Sequence, residues 1–321
     1  MKTLDYISIG FLMIISNSLK SQSLTDFVDP FIGTATVGHT YPAATTPFGL
    51  VQVGPDTGIK GWEHCSGYHS DDKSIIGFSH THLSGTGAAD MGDILLMPMT
   101  GAPNFEPGTP ENPEAGYRSL FSHSSEIAAP GYYSVKLAKY NILAEMTAMP
   151  RVGMHRYTFP KSSQAGIIID LDHGMEDQTL ESSLKVIDNQ TIAGYRHSSG
   201  FIKDQHIYFC ARFSKPFEKT TSYIDGEKGE EKDLSGKVCK IFVHFKTADG
   251  EKILVKVGLS TASEAGAMKN LDAEIPDWNF EKITLAAKNT WSASGWRRIW
   301  SRSPCRVPGS GPAATLRRES R

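Results

Sequence analysis

The chain has 321 residues, of which 39% are hydrophobic and 21% charged, and its formal net charge is −2. This composition is ordinary for a folded protein of one large domain or two smaller ones. A near-neutral charge gives no electrostatic basis for binding nucleic acid or an anionic membrane, and no apolar run approaches the roughly 20 residues that cross a bilayer. We therefore expect no nucleic-acid partner and no membrane span.

The N-terminus has the pattern of a secretory signal. Lys2 supplies a positive charge, residues 7–15 (ISIGFLMII) form a short apolar run, and residues 21–23 (SQS) give a small-x-small cleavage pattern. A buried first strand is the alternative interpretation, but the polar segment after the apolar run favours export. We predict a signal peptide over residues 1–23.

Polar loops rich in glycine, histidine and hydroxyl side chains follow. Three blocks stand out: residues 26–57 (DFVDPFIGTATVGHTYPAATTPFGLVQVGPDT), 61–72 (GWEHCSGYHSDD) and 77–98 (GFSHTHLSGTGAADMGDILLMP). Aromatic rings beside such groups suit a polyhydroxylated ligand, because a ring covers the apolar face of a sugar while polar side chains satisfy its hydroxyls. Each block alone is a weak signal, since polar loops are often only connections.

From about residue 130 the hydrophobic pattern has the period of two that is typical of β-strands. Apolar and polar residues alternate in residues 131–140, 206–213, 237–246 and 252–260, whereas residues 165–172 (AGIIIDLD) have the pattern of a strand buried on both faces. Turn-forming segments such as residues 247–250 separate these runs. We predict a mainly β fold, an antiparallel β-sandwich, over residues 24–262.

Two helical patterns come next, in residues 263–274 (SEAGAMKNLDAE) and 276–291 (PDWNFEKITLAAKNTW). In the second, Phe280, Ile283, Ala287 and Trp291 recur at helical spacing, and Asp277 is a candidate cap. We predict that residues 263–292 form a helical linker.

The last segment differs from the rest of the chain. Residues 294–321 contain seven arginines, no lysine and one acidic residue, without a sustained period. A shifted reading frame in GC-rich DNA encodes such a composition, and a nucleic-acid-binding tail is the alternative. Either origin predicts a disordered tail over residues 293–321.

The four cysteines are Cys65, Cys210, Cys239 and Cys305. They lack CxxC spacing and are too few for a disulfide scaffold, although an exported protein could form one bridge. Because Cys210 and Cys239 lie inside strand-like runs, we expect them to be buried free thiols.

The three loop blocks closely resemble the N-terminal region of the glycoside hydrolase family 92 exo-α-mannosidases. The resemblance runs from Asp26 to about Trp291, and it is densest in the motifs DPFIGT…GHTYPAATTPFGLVQVGPDT, W..CSGYH and GFSHTHLSGTG..D.GDILLMP. Residues 255–283 resemble the family's passage from its first domain into its linker.

The resemblance implies a galactose-mutarotase-like supersandwich, helical linker segments and an (α/α)6 barrel as intramolecular partner, in an enzyme of the bacterial periplasm or exterior. It also implies a calcium-dependent active site between the domains that hydrolyses mannose-containing glycans with inversion, using an acid and a base roughly 6.5–9.5 Å apart. In the family the barrel supplies the acid, the base and most calcium ligands. We therefore assign no catalytic residue and no metal ligand here, and we expect a chain that lacks the barrel and is inactive alone.

The resemblance and the loop composition together suggest which residues contact substrate. The candidates for substrate binding are His39, Trp62, Cys65, Ser66, His80, His82, Ser84, Gly85 and Asp90. Alternatives remain open for several of them. His80 and His82 could be an inward pair satisfied by backbone or a brace for the loops, and Trp62 could be an ordinary half-buried residue. Asp90 and Asp93 have the pattern of a catalytic carboxylate pair, but they are not the family's catalytic pair, so we prefer loop bracing for both. We interpret Asp56 as a turn residue.

Two other functions remain open. The sandwich could be a stand-alone carbohydrate-binding module without catalysis, or a metal hydrolase built from His64, His69, His80 and His82. The sequence argues against the metal hydrolase, because no third and fourth ligand has the spacing found in common zinc sites.

Overall fold

A computed structural model describes residues 23–294. Nearly all of the predicted signal peptide, nearly all of the arginine-rich tail and Cys305 lie outside these residues. The described residues form strands β1 (Ala44–Thr45), β2 (Gln52–Asp56), β3 (Ser74–Ile75), β4 (Gly77–Ser79), β5 (Leu95–Thr100), β6 (Ser119–Leu120), β7 (Ile127–Ala129), β8 (Tyr132–Leu137), β9 (Ile142–Ala148), β10 (Val152–Phe159), β11 (Ser162–Asp170), β12 (Gln178–Asp188), β13 (Thr191–Ser199), β14 (Gln205–Phe213), β15 (Lys219–Ile224), β16 (Glu227–Gly229), β17 (Asp233–Gly236), β18 (Cys239–Thr247) and β19 (Glu251–Ser260), and helices α1 (Glu264–Glu274) and α2 (Phe280–Ser294).

Two large antiparallel sheets dominate this part of the chain. The first has the order β1-β2-β4-β5-β11-β18-β15-β16, and the second has the order β17-β12-β13-β14-β19-β10-β9-β8-β7. The short strands β3 and β6 pair separately. The predicted antiparallel β-sandwich is therefore confirmed.

The core consists of the apolar rows that the alternating pattern predicts. Phe209 and Phe213 of β14 and Val255 and Val257 of β19 are completely buried. Each such side chain stabilises the fold by about 1.5–3 kcal/mol relative to an exposed position. The continuous apolar run Ile167–Ile169 is also buried, because β11 is a central strand between β5 and β18.

Helix α1 packs on the second sheet. Its first turn is capped by Ser263, whose hydroxyl accepts a hydrogen bond from the amide of Gly266 at 3.0 Å. Ala267 and Leu271 are buried against β19 at Gly258, where a Cβ atom would lie only 2.4 Å from the carbonyl oxygen of Ala267. Glycine at position 258 therefore allows the helix to approach the strand closely.

Helix α2 begins later than predicted. It starts at Phe280, and the side chain of Asn279, not of Asp277, accepts from the amide of Lys282 at 2.9 Å, as a cap does. Asp277 instead accepts from the amide of Asn279 at 3.1 Å and pairs with the Lys282 ammonium at 2.7 Å. The predicted capping role of Asp277 was therefore wrong by two positions.

The end of α2 returns to the beginning of the described chain. Trp291 donates its indole N–H to the carbonyl of Thr45 at 2.7 Å, and the Lys288 ammonium lies 2.6 Å from the Asp26 carboxylate. The hydroxyls of Ser23 and Ser292 are 3.0 Å apart. The helix thus joins the polar loops of residues 24–50 to the sandwich.

Cys65, Cys210 and Cys239 are free and buried, which confirms the prediction for the two strand cysteines. Among residues 23–294, neither helix is long and apolar enough to span a membrane.

Candidate functional site

The exposed ring of Trp62 is the point where the three polar loops meet. Trp62 lies in a short 3-10 helix (Trp62–His64) and is 55% exposed. His39 of the first loop packs edge-on against it, with ring centroids 4.9 Å apart. The amide of Gly85 in the third loop donates a hydrogen bond to the carbonyl of His39 at 2.6 Å, which holds the third loop against the first. A Cβ atom on Gly87 would lie 2.5 Å from the Trp62 ring, so the backbone of the third loop lies directly against the indole.

The structure brings five of the nine candidate residues close to the Trp62 ring, some at the surface and some buried beneath it. Trp62, Ser84 and Gly85 are at the surface, and His39 is buried beside the Trp62 ring. Ser66 is buried, and its hydroxyl donates to the carbonyl of Thr40 at 3.1 Å, which ties the second loop to the first. The residues at the surface can reach a ligand, and Ser66 supports them from below.

Cys65 is also buried next to Ser66. Its burial raises the pKa of the thiol, so Cys65 is a poor nucleophile. The geometry therefore favours a packing role for Cys65.

His80 belongs to a buried chain of hydrogen bonds below the loops. Its Nδ1 lies 2.6 Å from the carbonyl oxygen of Ile94, its Nε2 lies 2.9 Å from Nε2 of His155, and Nδ1 of His155 lies 2.8 Å from the hydroxyl of Tyr157. A carbonyl only accepts, so His80 donates from Nδ1, His155 donates from Nε2, and Tyr157 donates to His155. Both imidazoles are neutral in this arrangement. Every ring nitrogen has a partner, so the geometry favours bracing over direct ligand contact for His80.

His82 is buried in a second polar cluster, around Asp56. The Asp56 carboxylate accepts from Nε2 of His82 at 2.7 Å and from Nε2 of His173 at 2.9 Å, while Nδ1 of His82 donates to the carbonyl of Gln52 at 2.7 Å. Burial alone would raise the pKa of Asp56, but the charge of His82 and the hydrogen bonds from both histidines outweigh it and lower the pKa to about 2. Asp56 is thus an ionised, completely buried hub at the end of β2, and its interpretation as a turn residue was wrong.

Asp90 and Asp93 brace the third loop, which is the role we prefer for them from the sequence. Asp90 is 1% exposed, and its carboxylate accepts from the amide of Met91 at 2.7 Å and from the amide of Ile202 at 2.5 Å. Asp93 is completely buried and accepts from the hydroxyl of Thr81 at 2.6 Å. Both carboxylates already have several partners. Direct contact of Asp90 with a sugar stays a prediction, and the burial of its carboxylate argues against it.

Asp93 is also part of a buried ion cluster that sequence reasoning missed. Arg196 of β13 is completely buried and donates to Asp93 at 2.7 Å and to both carboxylate oxygens of Asp177 at 2.8 and 2.9 Å. Its Nε donates to the carbonyl of Leu171 at 2.9 Å. No local motif identifies these residues, because Asp93, Asp177 and Arg196 are far apart in the chain and only the sheet brings them together.

Backbone strain is concentrated in the same loops. Thr36, His39, Phe48, Met91 and Ile94 have φ angles between +52° and +70°, although none is a glycine. Each such residue costs on the order of 1–3 kcal/mol, and this kind of strain tends to cluster at functional sites. The strain is therefore a second, independent reason to place the site at these loops.

A cavity of about 500 Å³ opens beside the loops. Its lining includes Thr40, Tyr41 and Ser84 and the apolar side chains of Leu24, Phe48 and Trp291. Leu24, Val28 and Phe48 of its lining are exposed, and further exposed apolar side chains of the first two loops are Phe27, Ile32, Val37 and Trp62. An exposed apolar set of this kind, next to a cavity, marks an interaction surface.

The donors in this part of the chain do not fit calcium. Among residues 23–294, one cluster of three or more His, Cys, Asp or Glu side chains has donor atoms close enough to hold an ion, and it consists of His197, Asp204 and His206. Ca²⁺ prefers six to eight oxygen ligands, whereas this cluster offers two nitrogens and one carboxylate.

The four histidines of the metal-hydrolase alternative do not converge. His64 pairs with Asp72 at 2.8 Å, while His80 and His82 have the separate buried partners described above. His69 lies beside His64, with ring centroids 5.9 Å apart. The structure therefore gives this alternative no support.

Comparisons with known proteins agree with this architecture. The model of the glycosyl hydrolase family 92 N-terminal domain matches residues 27–260. A curated protein of the fungus Arthroderma benhamiae, described as an uncharacterized secreted glycosidase, is 28% identical over 316 residues, which cover 90% of this chain and 40% of that protein.

Solved structures show the same relationship. The family GH92 α-mannosidase of Bacteroides thetaiotaomicron, determined with mannoimidazole, superposes with a TM-score of 0.82 at 39% identity, over 84% of this chain and 37% of that one. A GH92 family glycosyl hydrolase superposes with a TM-score of 0.75 at 29% identity, over 84% and 36%. The chain thus spans about two fifths of the length of these relatives.

Proposed function

The chain belongs to glycosyl hydrolase family 92, and from this premise we propose that its sandwich forms one wall of the sugar cleft of an exported α-mannosidase. In this proposal the whole enzyme removes terminal mannose from mannose-containing glycans, inverts the anomeric centre and depends on calcium. The similar Bacteroides protein is described as an α-mannosidase, and the similar fungal protein as secreted. The exported location is the bacterial periplasm or the exterior of the cell.

The convergence of three loops on the exposed Trp62 ring carries this proposal. Trp62 offers a flat apolar face, and Ser84 with the backbone of Gly85 offers hydrogen-bonding groups at the same surface. This combination suits a pyranose, whose C–H face stacks on an aromatic ring while its hydroxyls meet polar groups.

Hydrolysis requires groups from outside residues 23–294 in this proposal. Three carboxylates of the loops, Asp56, Asp90 and Asp93, are buried and bonded to protein donors, whereas those of Asp29, Glu63 and Asp71 are exposed. A general acid or base has to reach the glycosidic oxygen or a water molecule. We assign the acid, the base and the calcium ligands to a helical barrel of the family type, which the exposed apolar set around the 500 Å³ cavity would contact.

Replacing Trp62 with alanine is expected to abolish measurable binding of mannose oligosaccharides to the 321-residue chain. The substitution removes the stacking surface, and an aromatic contact of this kind contributes about 0.5–1.5 kcal/mol beyond the burial of its area. Isothermal titration calorimetry at millimolar sugar measures the effect.

The control is Trp278→Phe, because Trp278 packs against the Lys256 ammonium at 4.1 Å and lies outside the three loops. This variant should bind as the unchanged chain does. Equal affinity of the Trp62→Ala variant and the unchanged chain would overturn the assignment of the Trp62 face.

A second expectation concerns turnover. The 321-residue chain should not hydrolyse an aryl α-mannoside, with or without added calcium, because in this proposal the acid, the base and the calcium ligands lie outside residues 23–294. Release of the aryl alcohol is followed by absorbance. Turnover that persists after repeated purification and is lost in the Trp62→Ala variant would show that the chain carries its own acid and base.

A stand-alone carbohydrate-binding module remains the second candidate. Both candidates predict sugar binding at Trp62. The cavity and the exposed apolar set beside it favour the half-site, because a module that acts alone has no use for an uncovered apolar surface of that kind.

A further inference from the structure

A histidine pair on the hairpin of β13 and β14 is organised in a way that sugar binding does not require. His197 and His206 are directly opposite each other in the register of the two strands, and their rings stack with centroids 4.1 Å apart. Asp204 lies in the connection between the strands. None of these residues belongs to the three polar loops, so the cluster calls for a separate explanation.

The donor atoms of this cluster already point to one place. Nε2 of His197 is 2.9 Å from Oδ1 of Asp204, and Nε2 of His206 is 3.1 Å from the same oxygen. The three donor atoms lie within 4.8 Å of one another. Ligands bound to a tetrahedral zinc ion at about 2.0–2.1 Å are separated by roughly 3.3 Å, so a small movement would suffice to admit the ion.

From this geometry we propose that His197, Asp204 and His206 form a binding site for a divalent transition-metal ion of the zinc class. Two imidazoles and one carboxylate suit zinc, copper or nickel and do not suit calcium or magnesium. Three protein ligands leave a fourth position for water. The side chains of His197, His206 and Asp204 are 22%, 37% and 75% exposed, so an ion can reach them from solvent.

The surroundings hold the ligands in place. Both histidines are on paired strands, and the ring of His206 stacks on Tyr195, which in turn stacks on Tyr208 with centroids 5.1 Å apart. Ligands on a rigid hairpin lose little freedom when the ion binds. A bound ion would link the two strands at the end of the hairpin. The connection between these strands also contacts the third polar loop, because the amide of Ile202 donates to the carboxylate of Asp90.

The test is a calorimetric titration of the EDTA-treated, dialysed 321-residue chain with zinc chloride. The expected result is one zinc ion bound per chain, with micromolar or tighter affinity, and an increase in the midpoint of thermal unfolding. The His197→Ala/His206→Ala variant should bind at least about tenfold more weakly, since even the loss of an outer-shell partner costs 10–100-fold. Calcium chloride should give no comparable heat.

His244→Ala is the matched control, because His244 lies on the other sheet and bonds to the hydroxyl of Thr221 at 2.8 Å. It should bind zinc as the unchanged chain does. Circular dichroism shows whether the double variant keeps the sandwich fold. Absence of saturable zinc binding by the unchanged chain, or equal binding by a folded double variant, would overturn the site.

Discussion

Replacing Arg196 with methionine is expected to lower the free energy of unfolding by about 3–5 kcal/mol, the usual result of removing one partner from a buried ion cluster. The guanidinium is completely buried, and its loss leaves Asp93 and Asp177 as neighbouring carboxylates without a counter-charge. A methionine of similar length fills the space but donates no hydrogen bond. Urea denaturation followed by circular dichroism measures the change.

The control for this experiment is Arg212→Met. Arg212 pairs with Asp272 at 2.6 Å, but both side chains are substantially exposed, and surface pairs contribute only about 0–1 kcal/mol. If Arg196→Met fails to fold, Arg196→Met/Asp93→Asn/Asp177→Asn should regain part of the stability, because it removes the buried charges. A loss of less than about 1 kcal/mol in Arg196→Met would contradict the inference that the buried Asp93 and Asp177 carboxylates depend on this guanidinium for their counter-charge.

Acidification is expected to destabilise the domain strongly between pH 6.5 and about 4. Burial lowers the pKa of His80 to about 4, and burial beside His80 keeps the pKa of His155 well below its usual value. Histidines of the unfolded chain titrate near 6.5, so in this range the unfolded state binds more protons and stability falls as the pH falls. By pH 5, with a folded-state pKa of about 4, His80 accounts for a loss of about 2 kcal/mol, and His155 contributes in the same direction.

One other histidine works in the opposite direction. The hydrogen bond with Asp72 raises the pKa of His64, so its contribution to stability is present at low pH and is lost as the pH rises through the raised pKa. Because His64 and Asp72 are both partly exposed, solvent screening reduces this contribution, and the buried pair should dominate.

Urea titrations at pH 7.5, 6 and 5 measure the effect. The His155→Gln variant is the comparison: it should be less stable at pH 7.5, because the bonds to His80 and Tyr157 are disturbed, but its stability should change less with pH. A pH dependence that is identical in the variant and the unchanged chain would show that the buried pair does not control acid sensitivity.

The sandwich could be predicted from the sequence because strands carry a local signal. The alternation in residues 206–213 and 252–260 appears as buried rows in β14 and β19, and residues 165–171 of the apolar run are buried on both faces. The start of α2 was less certain, since Asp277 and Asn279 are both good capping residues two positions apart. Only the packing of Phe280 against the sheet decides between them.

The site was predictable in part. The loop blocks indicated Trp62, Ser84 and Gly85, which the structure places at the surface, but they could not decide whether His80 and His82 contact a ligand or lie inward, and the structure buries both. Asp56, His173 and Arg196 were missed because their partners are distant in sequence. A histidine in a glycine-rich loop has the same local pattern whether it contacts a ligand or supports the loop from below.

The contact between Ser23 and Ser292 has a consequence for how this module can be joined to others. The described chain enters and leaves at one point, held by the Lys288–Asp26 ion pair and close to the 500 Å³ cavity, which Ser292 also lines. Because Ser23 and Ser292 lie side by side, a circularly permuted form in which a short linker joins these two residues and new ends lie at an exposed turn should preserve the fold. Any module attached next to Ser23 or Ser292 would start beside the 500 Å³ cavity. Tethering alone would then raise the effective concentration of that module at the cavity.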